Sequence, residues 1–217
     1  MVHPFQHRSG FTLLELLIVL AIAATLSSLA LVAMSRARAN AQQLKCASNL
    51  RQIGAAINGY IADHDGRLPG PVFGGQPAYY SPWPNDGFLP TFLAPYLGLP
   101  LDPKHYPAKA EVFLCPAWKA AVPPEYDKAY SRLYVMQNAA HFRDGTTGFP
   151  FGYPKIGNNP MTEPVKINMI ESLPQTAVMW DLDHYDIGGF SVQTPVHSGK
   201  RNYLYFDGHV ELLPPEH

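Results

Sequence analysis

Glu15 is the only ionisable side chain in an apolar run that extends from Phe11 to Met34. An ionised carboxylate in hydrocarbon costs several kcal/mol and is rarely kept without a partner. It therefore needs either a cation to neutralise it or a route for its head to reach the nearby interface. Farther along stand two cysteines, Cys46 and Cys115, which can form a disulfide in an oxidising compartment or remain buried thiols acting as small hydrophobes. A third group lies near the C-terminus, where Asp181, Asp183, His184 and Asp186 crowd the segment Trp-Asp-Leu-Asp-His-Tyr-Asp. If the strands around them pair, His197, Asp207 and His209 come close. Carboxylates in such a set suit Ca²⁺, and histidine with carboxylate suits Zn²⁺. The set Asp181, Asp183, Asp186, His197 and Asp207 is thus a candidate Ca²⁺ site. The alternative is a polar loop of turn-forming aspartates in which His197 holds the backbone before a hairpin. No spacing matches an EF-hand or a zinc motif, and no Gly-x-Ser-x-Gly elbow, phosphate-cradling loop or His-Glu-x-x-His is present. The expectation is that the chain is not an enzyme.

The elements that must position these residues are legible from periodicity. The 217 residues suit one globular domain plus a membrane segment, and a formal charge of −1 gives no basic footprint for nucleic acid. Residues 11–34 would span about 36 Å as a helix, more than the roughly 30 Å of a bilayer core. No proline interrupts the chain between Pro4 and Pro69, so one helix can run from about Phe11 to about Ala62. Beyond Met34, Cys46, Leu50, Ile53, Ile57 and Tyr60 recur at spacings of four and three, the stripe of a helix lying on a core. Asp63-His64-Asp65-Gly66 then ends it. From Pro69 to Pro107, proline, glycine and aromatics predict a long structured loop with a short helix near Leu89–Tyr96, its rings buried rather than offered to a ligand. Strands are expected at Glu111–Cys115, Tyr130–Met136, Thr176–Asp181, Arg201–Phe206 and His209–Leu213. Gly145–Pro164 reads as a second loop. Asp207-Gly208 between two alternating runs predicts a two-residue type I′ hairpin turn. One long helix followed by short strands gives an α+β class, the helix laid on an antiparallel sheet.

Arg8-Ser9-Gly10 before Phe11-Thr12-Leu13-Leu14-Glu15 resembles the type IV prepilin signature of type IV pilins and type II secretion pseudopilins. A general signal peptide is cleaved after its apolar segment, not before it. The resemblance extends to Leu44–Gly54, to Asp65-Gly66-Arg67-Leu68-Pro69 and to Phe113-Leu114-Cys115-Pro116. It also covers His197, nine residues and Asp207-Gly208, an H-X9-DG motif found in many prepilin-like proteins.

This resemblance implies a leader over residues 1–10, cleaved after Gly10 by prepilin peptidase, with N-methylation of Phe11. It implies a transmembrane or filament-core helix over 11–34 and an extracytoplasmic pilin-like domain over 35–217. Glu15 would then serve assembly, its partner being the amine that cleavage creates on a neighbouring subunit, charged at neutral pH. The implied partners are other pilin or pseudopilin subunits, an inner-membrane assembly platform and membrane lipid, with no nucleic acid. Lys and Arg are more numerous beyond the apolar run than before it, which alone would place the far side in the cytoplasm. The resemblance implies the reverse, and that orientation is followed here. The expected role is a minor or specialised structural subunit of a pilus-like filament or pseudopilus. A membrane-tethered carbohydrate-binding module is the alternative.

Overall fold

The computed structural model describes residues 12–83, 86–101, 107–121, 132–182 and 194–215. A single helix, α1 (Leu13–Asp63), fills the first quarter of the chain. The chain divides into two compact units, residues 1–41 and 42–217, and α1 contributes to both.

In the first unit every described side chain is exposed. The segment is long and apolar enough to cross a membrane. Its hydroxyls turn back onto the helix: Thr25 Oγ1 donates to Ile22 O, Ser27 Oγ to Ala23 O, Ser28 Oγ to Thr25 O and Ser35 Oγ to Val32 O, at 2.7–2.9 Å. None of these hydroxyls then asks for water, which is what a lipid-facing helix requires of them.

The second unit begins at Gln42. Among the described residues nine strands follow α1: β1 (Gly75–Pro77), β2 (Tyr79–Tyr80), β3 (Ala108–Lys109), β4 (Arg132–Met136), β5 (Ala140–His141), β6 (Thr147–Gly148), β7 (Ala177–Asp181), β8 (Arg201–Tyr205) and β9 (Val210–Leu213). Two short helices, α2 (Leu89–Leu93) and α3 (Pro116–Ala121), lie between them. The main sheet has the order β1-β4-β7-β8-β9, and every pairing is antiparallel. The fold is α+β, as the element pattern predicts.

The stripe on α1 behaves as expected. Cys46, Leu50, Ile53 and Ile57 are buried and Tyr60 is half-buried. Gly54 lets the helix approach β8 closely, since a Cβ there would lie 3.0 Å from Leu204 Cδ1. At the end of α1, Asp65 (φ 54°) and Gly66 (φ 77°) are both left-handed, and Gly66 N–H returns to Ile61 O. The chain then pairs through Leu68 N–H to Val165 O and Ile167 N–H to Gly66 O.

The loop from Pro69 is organised by one buried side chain. Gln76 Oε1 accepts from Leu89 N–H at 2.6 Å, and its amide donates to Phe73 O. The short helix predicted near Leu89–Tyr96 is α2 followed by a 3₁₀ turn at Pro95–Leu97. Tyr80, Phe113, Trp118 and Tyr134 are buried, whereas Trp83 is exposed.

Two local expectations are corrected. Glu111–Cys115 is not a strand but a 3₁₀ turn at Glu111–Phe113 leading into α3. Phe113 and Cys115 are buried while their neighbours are less so, so the segment carries a strand-like period of two. Yet Phe113 N–H and Leu114 N–H close locally on Ala110 O and Glu111 O, and Pro116 opens the helix. The hairpin joining β8 to β9 is not type I′ either. Tyr205 N–H bonds His209 O and Gly208 N–H bonds Tyr205 O, leaving Phe206, Asp207 and Gly208 as a three-residue loop. Only Gly208 has positive φ (92°), so glycine alone takes the left-handed position of a bulged turn.

Candidate functional site

Two constellations emerge, one at the start of α1 and one in the core of the second unit. At the first, Thr12 and Glu15 form a reciprocal pair. Glu15 N–H donates to Thr12 Oγ1 at 3.2 Å, while Glu15 Oε2 accepts from Thr12 N–H at 2.9 Å and Thr12 Oγ1 at 2.8 Å. This is a capping box, in which the cap hydroxyl and the third helical residue each satisfy an orphan backbone donor of the other. The spacing Thr-x-x-Glu before an apolar run signals it in sequence, and reasoning from the charge of Glu15 alone passes over it. The carboxylate is thus partly satisfied within its own chain. Oε1 has no hydrogen bond among the described residues. Gly10 and Phe11 lie outside the described residues.

The second constellation draws together segments far apart in the chain. Cys46 on α1 is joined to Cys115 by a disulfide with Cα atoms 4.9 Å apart, and both residues are fully buried. One helical turn on, Asn49 Nδ2 donates to Leu114 O at 3.1 Å. α1 thereby grips the Leu114-Cys115 backbone through one covalent and one hydrogen bond. His197 Nε2 lies 3.6 Å from Cys115 Sγ and 3.2 Å from Asp181 Oδ2, both side chains being buried. Asp181 Oδ2 also accepts from Asn202 N–H at 2.8 Å and Asn202 Nδ2 at 2.9 Å. Gln43 Nε2 donates to Asn202 Oδ1 at 3.0 Å, which returns the network to α1. Beside Asp181 in register stands Tyr134. Burial, and then the Asp181 charge, push its phenol well above the usual tyrosine range.

Of the oxygen-rich set read from the sequence, the fold brings Asp181 and His197 together. Asp207 is engaged within its own hairpin, where Oδ1 accepts from His209 N–H at 3.1 Å and meets His209 Nδ1 at 2.6 Å. Gly208 supplies the left-handed residue of that turn. Asp183, His184 and Asp186 lie outside the described residues. Asn49, Asn202 and Gln43 went unnoticed in the sequence. Only the i, i+3 spacing of Cys46 and Asn49 on the core-facing stripe could have signalled one of them.

An exposed apolar helix with a capped carboxylate at its start, carried on an α+β head, is the plan of a membrane-anchored filament subunit. Residues 5–31 match the prokaryotic N-terminal methylation motif. Over 69 residues the chain is 38% identical to the competence protein ComGC of Halalkalibacterium halodurans, a match covering 32% of this chain and 67% of that protein. The chain belongs to the type IV pilin-like family. That family consists of structural pilin subunits rather than enzymes, and the motif implies processing by prepilin peptidase and assembly with other pilin subunits. No solved structure matches the chain.

Proposed function

We propose that this protein is a minor or specialised subunit of a pilus-like filament or pseudopilus, cleaved after Gly10 and methylated on Phe11. It is a single-pass inner-membrane protein before assembly, with its head outside the cytoplasm. The observation that carries this reading is the outward apolar surface of residues 13–34, whose hydroxyls are all satisfied by the helix itself. Such a surface is stable only against lipid or other apolar helices. The Cys46–Cys115 bond supports an oxidising compartment for the head.

Glu15 then has two partners in succession. Thr12 holds Oε2 within the chain, which leaves Oε1 to meet the amine of a neighbouring subunit during assembly. The relative named for competence supports a competence-type pseudopilus as the host system, beside type II secretion. Deleting the gene and scoring transformation against exoprotein release separates these two.

Intact-mass analysis of the mature protein tests the reading. Loss of residues 1–10 and one added methyl group are expected, and a retained leader in cells holding the peptidase overturns it. Glu15→Ala should leave the chain in the membrane while depleting it from purified fibres.

A further inference from the structure

Three donor atoms converge in the core of the head. The Sγ atoms of Cys46 and Cys115 and a ring nitrogen of His197 all lie within 4.8 Å of one another, and all three residues are buried. His197 Nε2 is 3.6 Å from Cys115 Sγ and 3.2 Å from Asp181 Oδ2. A tetrahedral zinc ion holds thiolate sulfur at about 2.3 Å and imidazole nitrogen or carboxylate oxygen at about 2.0 Å. Those bond lengths place a sulfur–nitrogen ligand pair about 3.6 Å apart and a nitrogen–oxygen pair about 3.3 Å apart. The separations of His197 from Cys115 and from Asp181 already have these values, and Cys46 Sγ lies within 4.8 Å of a His197 ring nitrogen. The sulfurs depart from the pattern, because they are bonded to each other, and Asp181 adjoins the three-donor cluster through His197 alone. As two ligands of one zinc ion they would stand about 3.8 Å apart. Rotation of the two side chains from Cα atoms 4.9 Å apart provides that opening.

We propose that, when the Cys46–Cys115 bond is open, Cys46, Cys115 and His197 bind Zn²⁺ and draw in Asp181, already beside His197, as the fourth ligand. Two soft sulfurs with one imidazole and one carboxylate select zinc over calcium. The carboxylate is already aimed, since Asn202 fixes Oδ2 through its backbone and side-chain N–H groups. Hydrogen bonds of that kind orient ligands at metal centres. Asp181 Oδ1 is also buried and has no hydrogen-bond partner among the described residues. A buried carboxylate with one oxygen unpartnered is costly, and a dication bound through Oδ2 would neutralise the charge it carries.

Metal and disulfide exclude each other. On metal binding each thiol loses its proton and an S–Zn bond replaces S–H. On oxidation the two thiolates give two electrons to an external disulfide, which takes up two protons from solvent and leaves as two thiols. The S–S bond forms and zinc departs. The cluster thus supports a zinc-bound precursor as well as the bridged protein.

The test uses the full chain in detergent, reduced anaerobically with a phosphine and titrated with Co²⁺ as the probe. One cobalt per chain is expected, with a near-ultraviolet thiolate charge-transfer band and the intense red bands of tetrahedral cobalt, bleached when Zn²⁺ is added. The unreduced chain should show neither band. His197→Ala and Asp181→Asn should each weaken cobalt binding by more than about tenfold. Should reduction unfold the head, metal must restore its near-ultraviolet circular dichroism. Absence of the charge-transfer band, failure of that restoration, or undiminished binding by both variants overturns the proposal. A second readout is maleimide labelling of the reduced chain, which Zn²⁺ should slow in the wild type and leave unchanged in His197→Ala.

Discussion

The two stretches of α1 meet opposite solvents with the same backbone. From Leu13 to Ala41 the apolar side chains point outward, and the Thr and Ser hydroxyls bond to the helix that carries them. From Gln42 to Asp63 the apolar stripe is buried, and polar groups on its core side reach to distant segments: Gln43 to Asn202 and Asn49 to Leu114. Polar satisfaction is local where no partner exists within the chain, and tertiary where a core is built. The Thr12–Glu15 pair belongs to the first kind, closing within four residues. The His197–Asp181 pair belongs to the second, bridging the loop before β8 to the end of β7. Damage at the first should therefore leave the head intact, and damage at the second should unfold the head while leaving the anchor in place.

The largest expected effect is His197→Ala. It removes the group facing a buried carboxylate, and breaking one side of a buried pair typically costs about 3–5 kcal/mol. Denaturant unfolding of the purified chain should show that loss, with membrane insertion unchanged. Impaired insertion with an unchanged head would break the comparison.

Replacing both Cys46 and Cys115 by alanine ranks next. The bond closes a loop of 69 residues, for which chain entropy gives about 4 kcal/mol and measured cases give about 2–4 kcal/mol. The loss should appear in the stability of the head and nowhere in the anchor. At the other end, Thr12→Ala removes the cap and should cost about 1 kcal/mol. Faster amide exchange confined to the first turn of α1 is the expected readout, while the head melts as before. Thr12→Ser should restore the protection.

Residues that act through sequence neighbours were legible, and those that act across the fold were much less so. The long helix, its buried stripe and four strands follow from periodicity and from the absence of proline. The prepilin resemblance rests on contiguous residues around Gly10. The segment Glu111–Cys115 misled because a 3₁₀ turn can bury alternate side chains as a strand does. β1 is Gly-Gln-Pro, which has little intrinsic strand preference and is held by pairing with β4. The pairing of Asp181 with His197 rather than with Asp207 depends on which strands adjoin. Asp207 is captured instead by His209, two residues away, because the turn has three residues and not two.

The smallest effect concerns that hairpin. Burial alone would raise the Asp207 pKa, but hydrogen bonds from the His209 backbone and ring outweigh it and hold the carboxyl below the usual aspartate range. A carboxylate depressed in the folded state stabilises it above the unfolded pKa, near 3.9, and the contribution is lost as pH falls through the lower folded value. The window therefore lies below about pH 4. Asp207 is 37% exposed, so solvent screening reduces the contribution to roughly a few tenths of a kcal/mol. Asp65 and Asp144 are depressed as well, by Lys166 and by Thr146, so raw acid melting reports all three. The informative quantity is the difference in melting temperature between wild type and Asp207→Asn. It should favour the wild type slightly at pH 6 and shrink to nothing as the pH drops well below 4. A difference that grew with acidity would mean the folded hairpin prefers the protonated acid. In that case the His209 contact would not be an ionic tie, and the hairpin would rest on Gly208 and its backbone bonds alone.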